Sequence, residues 1–415
     1  MRRDLVPVPL TKEIKEVVHL RDIKHGDHRN AKSRWTSAAL MLACVLGLTS
    51  SASLSLHAQT LTVLYNFGGA ADGGDPYASL IRDSAGNLYS TGGYGGTFFA
   101  GVVYKVDPKG NETVLYNFTG GADGAYPESP VVLDRAGNLY GTTTQGGSAN
   151  AGVVFKVDPG GNETVLHNFT GGADGIIPAG GLTLDGAGNL YGTTGQGGTY
   201  NDGVVYKIDK TGTETILHTF TGAVDDGKYP TYTTVRIGPD GNLYGVTQEG
   251  GSADQGILYR LGKGGLTILH SFMGGTTDGC NAVGVPSVDK NGNIYGVTSS
   301  CGTGQYGTVW KVSKTGAETV LHNFAGGVSD GQYPLSGVVL DANGNLYGST
   351  ETGGVSDLGT AYRLTQQGGF TLLRSFSGPD GKYVYSSFLL SNGALYGTAL
   401  NGGTLGYGTV WKITK

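Results

Sequence analysis

The stretch Gly137–Gly147, GNLYGTTTQGG, sets a strand-like NLYGTT between glycine-rich turns. Tyr and Thr suit a pleated strand, while Gly and Asn suit the turns that bound it. The phrase then returns along the chain. Tyr140 has counterparts at Tyr89, Tyr191, Tyr244, Tyr295, Tyr347 and Tyr396, spaced by 51, 51, 53, 51, 52 and 49 residues. A period of this length marks a tandem repeat architecture. Two further phrases keep the same rhythm: GVVYK at 101–105 returns six times, ending as GTVWK at 408–412, and TVLYNF at 62–67 returns near 113, 164, 215, 267, 319 and 371.

Residues 1–34 are polar and basic, Ala38–Leu48 are apolar, and small residues lead to SLHAQ, which reads as a secretory signal (1–58) cleaved after Ala58. Eleven apolar residues are too few to span a bilayer, which needs about 20. The remainder, 59–415, divides into seven units of 51 residues and leaves no room for a linker or second domain. It carries nineteen Lys/Arg and twenty-eight Asp/Glu, a net charge of −9. An acidic chain makes nucleic acid an unsuitable partner. No membrane contact after cleavage and a monomeric state are expected.

Each unit holds four strand candidates. In the second they are VVLD (131–134), NLYGTT (138–143), GVVFKVD (152–158) and ETVLHNF (163–169), with Asp/Pro/Gly/Asn turns after the first and third. No helical period appears between 59 and 415. The expected fold is all-β, a seven-bladed β-propeller with four antiparallel strands per blade. The frame of the chain adds a topological expectation. It begins with a lone fourth strand (60–67) and ends with a third strand (408–415), so the N-terminal strand is expected to close the ring by joining the C-terminal blade.

GNLYGTT-x-GG, G-[TV]-V-[YFW]-K and TVL-x-NF together resemble the GloVer-type (Gloeobacter/Verrucomicrobia-type) tandem repeat of secreted bacterial proteins, over residues 60–415. The resemblance implies a propeller and no particular chemistry. Many such proteins carry a C-terminal sorting anchor. This chain ends at Lys415 in a strand, so a free secreted or periplasmic protein is expected.

In such blades the connection from fourth to next first strand shares a face with the connection from second to third. Both are longer than the tight turns, and binding is expected on that face. Cys280 lies in the first kind of loop and Cys301 in the second, within one repeat, which predicts a disulfide in an oxidising compartment. His167, His218, His270 and His322 share one position of the fourth strand, so a packing role is expected of them, with no histidine left over for a Ser-His-Asp or zinc arrangement. Two motif matches, GAVDDGKY (222–229) and GVSDG (327–331), lack the helix that a phosphate loop or nucleophile elbow requires.

Asp72, Asp123, Asp174, Asp226, Asp278, Asp330 and Asp380 each precede a glycine before the first strand. Around a central channel they could hold Ca²⁺, the sole cofactor considered; the simpler expectation is that each caps its own turn. Function requires departures from the repeat. Candidate ligand-binding residues on the loop face are Tyr94, Tyr126, Gln196, Tyr229, Glu249, Tyr333, Glu351 and Tyr383, whose rings and polar groups suit a carbohydrate. Tyr94 and Glu249 stand out because each occurs once. The expectation is a non-catalytic binding protein for extracellular carbohydrate or protein. The alternatives are a polysaccharide lyase or glycosidase using Glu249 and Glu351, two blades apart, and a protein-interaction scaffold.

Overall fold

A computed structural model describes residues 59–414, so the expected secretory signal lies outside the described residues. The chain is a seven-bladed β-propeller of four-stranded antiparallel sheets, with no helix among the described residues. The second blade is Val132–Leu133, Leu139–Thr143, Val153–Val157 and Glu163–Asn168, paired in that order.

Asn138 to Gly141 of the opening stretch each have a role in this blade. Asn138 Nδ2 and the Tyr140 hydroxyl both donate to Asp134 Oδ2, at 2.7 and 3.0 Å, and the Asn138 amide donates to Asp134 Oδ1 at 2.9 Å. These bonds close the first hairpin. They hold the Asp134 carboxyl below the usual range against a burial that alone would raise it. Leu139 is buried, and Gly141 lies in register with Phe155, whose ring would stand 2.5 Å from an added Cβ. A side chain at Gly141 would require that ring to move. The same pairing recurs as Gly192 with Tyr206, Gly296 with Trp310 and Gly397 with Trp411. In the first blade Ser90 faces Tyr104.

The aromatic of GVVYK also receives the Phe of TVL-x-NF from the preceding blade. Phe118 meets Phe155 at 5.0 Å, Phe169 meets Tyr206 at 5.1 Å, and Phe67 meets Tyr104 at 5.0 Å. All are fully buried. The three repeated phrases are therefore three parts of one blade-to-blade contact. Edge-on aromatic contacts of this kind add about 0.5–1.5 kcal/mol each beyond area burial.

A second ring of contacts lies nearer the axis. The residue after the LYG glycine, or after Ser90 in the first blade, sends its hydroxyl to the innermost backbone of the next blade: Thr91 to Ser129 O (2.9 Å), Thr193 to Thr233 O (2.9 Å), Ser349 to Ser386 O (3.2 Å) and Thr398 to Ala78 O (3.1 Å). In the fourth and fifth blades Val246 and Val297 take that register position. The seventh blade is Leu389–Ser391, Ala394–Ala399 and Thr409–Thr414, with Thr60–Asn66 as its fourth strand. The fifth has the longest hairpin, Gly279–Val288 with Ile294–Cys301, and Cys280 and Cys301 are bridged across its open end with Cα atoms 5.4 Å apart.

Candidate functional site at the channel mouth

The segments that lead into the seven first strands converge on one cavity of 370 Å³ at the mouth of the central channel. This places the first strands innermost. The repeat also breaks here. The residue that follows the DG-x-YP phrase, or its equivalent, is Tyr77, Glu128, Ala179, Val283, Leu335 and Tyr385 in six of the blades; in the fourth, Thr231 follows the phrase and the next residue, Tyr232, stands in the wall, so each blade sends one such side chain to the cavity. These near-equivalent positions supply three phenols and a carboxyl to part of the wall and aliphatic groups to the rest.

Polar groups in and next to the wall are paired. The rings of Tyr77 and Tyr385 meet at 5.3 Å with their planes tilted by 50°. Tyr385 donates to Glu351 Oε1 at 2.6 Å, and Tyr232 donates to Glu128 Oε2 at 3.3 Å. Asn401 Nδ2 donates to Asp75 Oδ1 at 3.1 Å, and Gln248, fixed through its bond to Thr231 O at 3.0 Å, completes the wall. Burial pushes the Glu128 carboxyl up, with the Tyr232 hydroxyl opposing, and burial likewise raises Asp75. Tyr232 is pushed up to about 12 by burial and then by the Glu128 charge. Burial, then Glu128, Asp75 and Glu351, raise Tyr77, so its hydroxyl stays protonated and is available as a donor. No Lys, Arg or His is among the lining residues. The mouth is electronegative and disfavours anionic ligands.

Of the residues selected from sequence, Glu351 alone is hydrogen-bonded into this cluster. Tyr126, Tyr229, Tyr333 and Tyr383 have left-handed backbones (φ 55–60°), and the amide of each donates to a carbonyl of the preceding blade. They stand in the blade seams beside the cavity wall. Glu249 forms an ion pair with Lys228 at 3.0 Å, and the nearby Asp254 carboxylate shares that lysine at 3.1 Å. Tyr94 is 40% exposed with Phe99 5.9 Å away, and Gln196 is exposed on its loop. The seven repeated aspartates lie at the outer, fourth-strand side. Asp123 accepts from Tyr116 Oη (2.9 Å) and its own loop's Thr119 amide (2.8 Å), and Asp226 binds His218 Nε2 at 3.0 Å and the Thr221 amide at 3.1 Å. Each accepts within its own turn, and all but Asp174 also bond a side chain of the outermost strand.

The Gloeobacter/Verrucomicrobia repeat profile matches residues 50–238 and 232–415. The chain belongs to this family. No curated protein matches it. Among solved structures, a streptogramin B lyase superposes with a TM-score of 0.58 at 13% identity, covering 86% of this chain and 97% of that one. The extracellular domain of BT4673 from B. thetaiotaomicron gives 0.54 at 14% identity, covering 86% and 42%. At these identities the likeness is one of fold.

Sequence reasoning missed Tyr77, Glu128, Tyr232 and Tyr385. The signal was present. The position after DG-x-YP changes chemistry from blade to blade, whereas the tyrosine before that proline recurs and belongs to the seam.

Proposed function

We propose that this family member is an extracellular binding protein that takes the end of a neutral saccharide into the channel mouth. The observation that carries the proposal is the break in repeat symmetry that gathers Tyr77, Tyr232, Tyr385 and Glu128 around one cavity, with Glu351 bonded to Tyr385. Phenol rings stack on the apolar faces of sugars, and carboxylates accept from hydroxyls. At 370 Å³ the cavity lies at the small end of ligand pockets, which run from about 300 to 1,000 Å³, and suits a mono- or disaccharide end. The absence of a cationic side chain from its lining disfavours uronate polymers, and with them a lyase. An extracellular location draws support from the disulfide and from the extracellular domain among the structural neighbours.

One observation favours a second reading, a glycosidase. Glu128 is a carboxyl raised by burial, and both it and Glu351 act on Tyr77. Glycoside hydrolysis uses a pair of carboxyls, one of them raised. The test is a neutral-glycan array with the purified protein, followed by calorimetry on each hit and a search for released sugars. Tyr77→Ala and Tyr385→Ala should each weaken binding about tenfold, near 1.4 kcal/mol. Binding without products supports the binding protein, and turnover lost in Glu128→Gln supports the glycosidase. An array with no neutral hit refutes both and moves the search to protein partners.

A further inference from the structure

We infer that His167, Asp174 and Glu214 form a divalent-cation site at the outer seam between the second and third blades. His167 ends the second blade's fourth strand, Asp174 belongs to the loop that follows it, and Glu214 opens the third blade's fourth strand. One nitrogen and two carboxylate oxygens from these residues lie within 4.8 Å of one another. His167 Nε2 is 3.7 Å from Asp174 Oδ2 and 3.7 Å from Glu214 Oε1. Those distances exceed a hydrogen bond, which spans about 2.7–3.2 Å. They approach the spacing of about 3.4 Å between donors that share a tetrahedral ion at bonds of about 2.0–2.2 Å.

The second observation is that the donors are left over. Both His167 Nε2 and Glu214 Oε1 are shut off from solvent and have no hydrogen-bond partner, although a buried polar atom is normally paired. An ion between them would satisfy both. Burial also lowers the His167 pKa and so favours the neutral imidazole that binds metal.

The other seams serve as internal comparisons. Where the third blade meets the fourth, Leu266 takes the register position of Glu214, and His218 bonds directly to Asp226 at 3.0 Å. Where the fifth meets the sixth, Phe370 takes it and stacks on His322 at 4.3 Å. That stacking shows that this position faces the histidine of the preceding blade. The seam between the fourth and fifth blades repeats the donor set as His270, Asp278 and Glu318, with His270 already bonded to Asp278 at 3.1 Å. Imidazole with two carboxylates selects Zn²⁺ or Mn²⁺ over Ca²⁺, which takes oxygen ligands alone. The ion would tie the outer strands of neighbouring blades together.

The experiment titrates the chelator-stripped full chain with Zn²⁺ by calorimetry and reads the visible spectrum of the Co²⁺ form. Glu214→Leu and His167→Tyr each copy a seam the protein already contains, so both variants should fold. Each is expected to remove one equivalent of Zn²⁺, or to weaken it at least tenfold, and to lose the tetrahedral Co²⁺ bands. Glu163→Leu, at the seam with Tyr116 and Asp123, should leave binding unchanged. Failure of the wild-type chain to bind Zn²⁺ at micromolar concentration overturns the inference. So does a Zn²⁺ stoichiometry and affinity that both seam variants share with the wild-type chain.

Discussion

The most quantitative consequence of the seams concerns pH. Glu112, Glu163, Glu214 and Glu318 are each pushed up to about 7, by burial first and then by the aspartate of the preceding loop. Between about pH 4.5 and 7 the folded chain therefore holds protons that the unfolded chain has released. The stability each glutamate contributes is fully present below about pH 4.5 and is lost as the pH rises through 7. A shift from 4.5 to about 7 would correspond to roughly 3.4 kcal/mol at 1.36 kcal/mol per unit. These groups are only about half shielded, so solvent screening reduces the figure to about 1 kcal/mol each. With an unfolding entropy of about 2.1 cal/mol/K per residue over about 350 residues, that is roughly 1.4 °C per glutamate and 5–6 °C for four. The turn aspartates such as Asp134, held low, act only below about pH 3.8 and do not oppose this window. His167, also held low, opposes it below about pH 6.5, but it is a single group. The perturbation is Glu163→Gln, a neutral isostere at a seam without histidine. Thermal melts from pH 4.5 to 8 should show the variant about 1 kcal/mol more stable than wild type at pH 8 and equal to it at pH 4.5. The reasoning fails if the variant melts below wild type at pH 8, or if the pH slope is unchanged.

Three further perturbations address the fold. Gly192→Ala puts a methyl 2.4 Å from the Tyr206 hydroxyl, and the overpacking should cost about 1–3 kcal/mol in thermal or urea unfolding; a neutral result would show that the ring can move away. Thr398→Val removes the hydroxyl that bonds Ala78 O across the seam between the seventh and first blades. Because Val246 and Val297 already fit that register position, the loss should be limited to about 1 kcal/mol, and a drop several times larger would contradict the assignment. Cys280→Ser opens a crosslink between residues 21 apart and should cost about 3 kcal/mol; wild type with reductant should melt at the same temperature as the variant.

The architecture was legible because its causes are local and repeated. Asn138 and Tyr140 answer to Asp134 a few residues away, and Gly141 answers to the ring of Phe155 in the adjacent strand, so a period near 51 residues carries strand order and blade number together. The same repetition hid the candidate site. Tyr126, Tyr229, Tyr333 and Tyr383 stood out as aromatics in variable loops, but their backbones are fixed in the seams. The cavity is lined instead from the position just after them, where the chain turns down into the channel. By itself the sequence determined the seven-bladed, four-stranded plan, because hydrophobic alternation, turn chemistry and the glycine–aromatic fit all act within one repeat. Only the tertiary structure decided which equivalent positions meet. Closing the ring brings Tyr77 beside Tyr385 and Glu128 beside Tyr232, and the lateral packing of neighbouring blades sets Glu214 against His167. Those contacts depend on the circular arrangement of the blades, and no spacing along the chain encodes them.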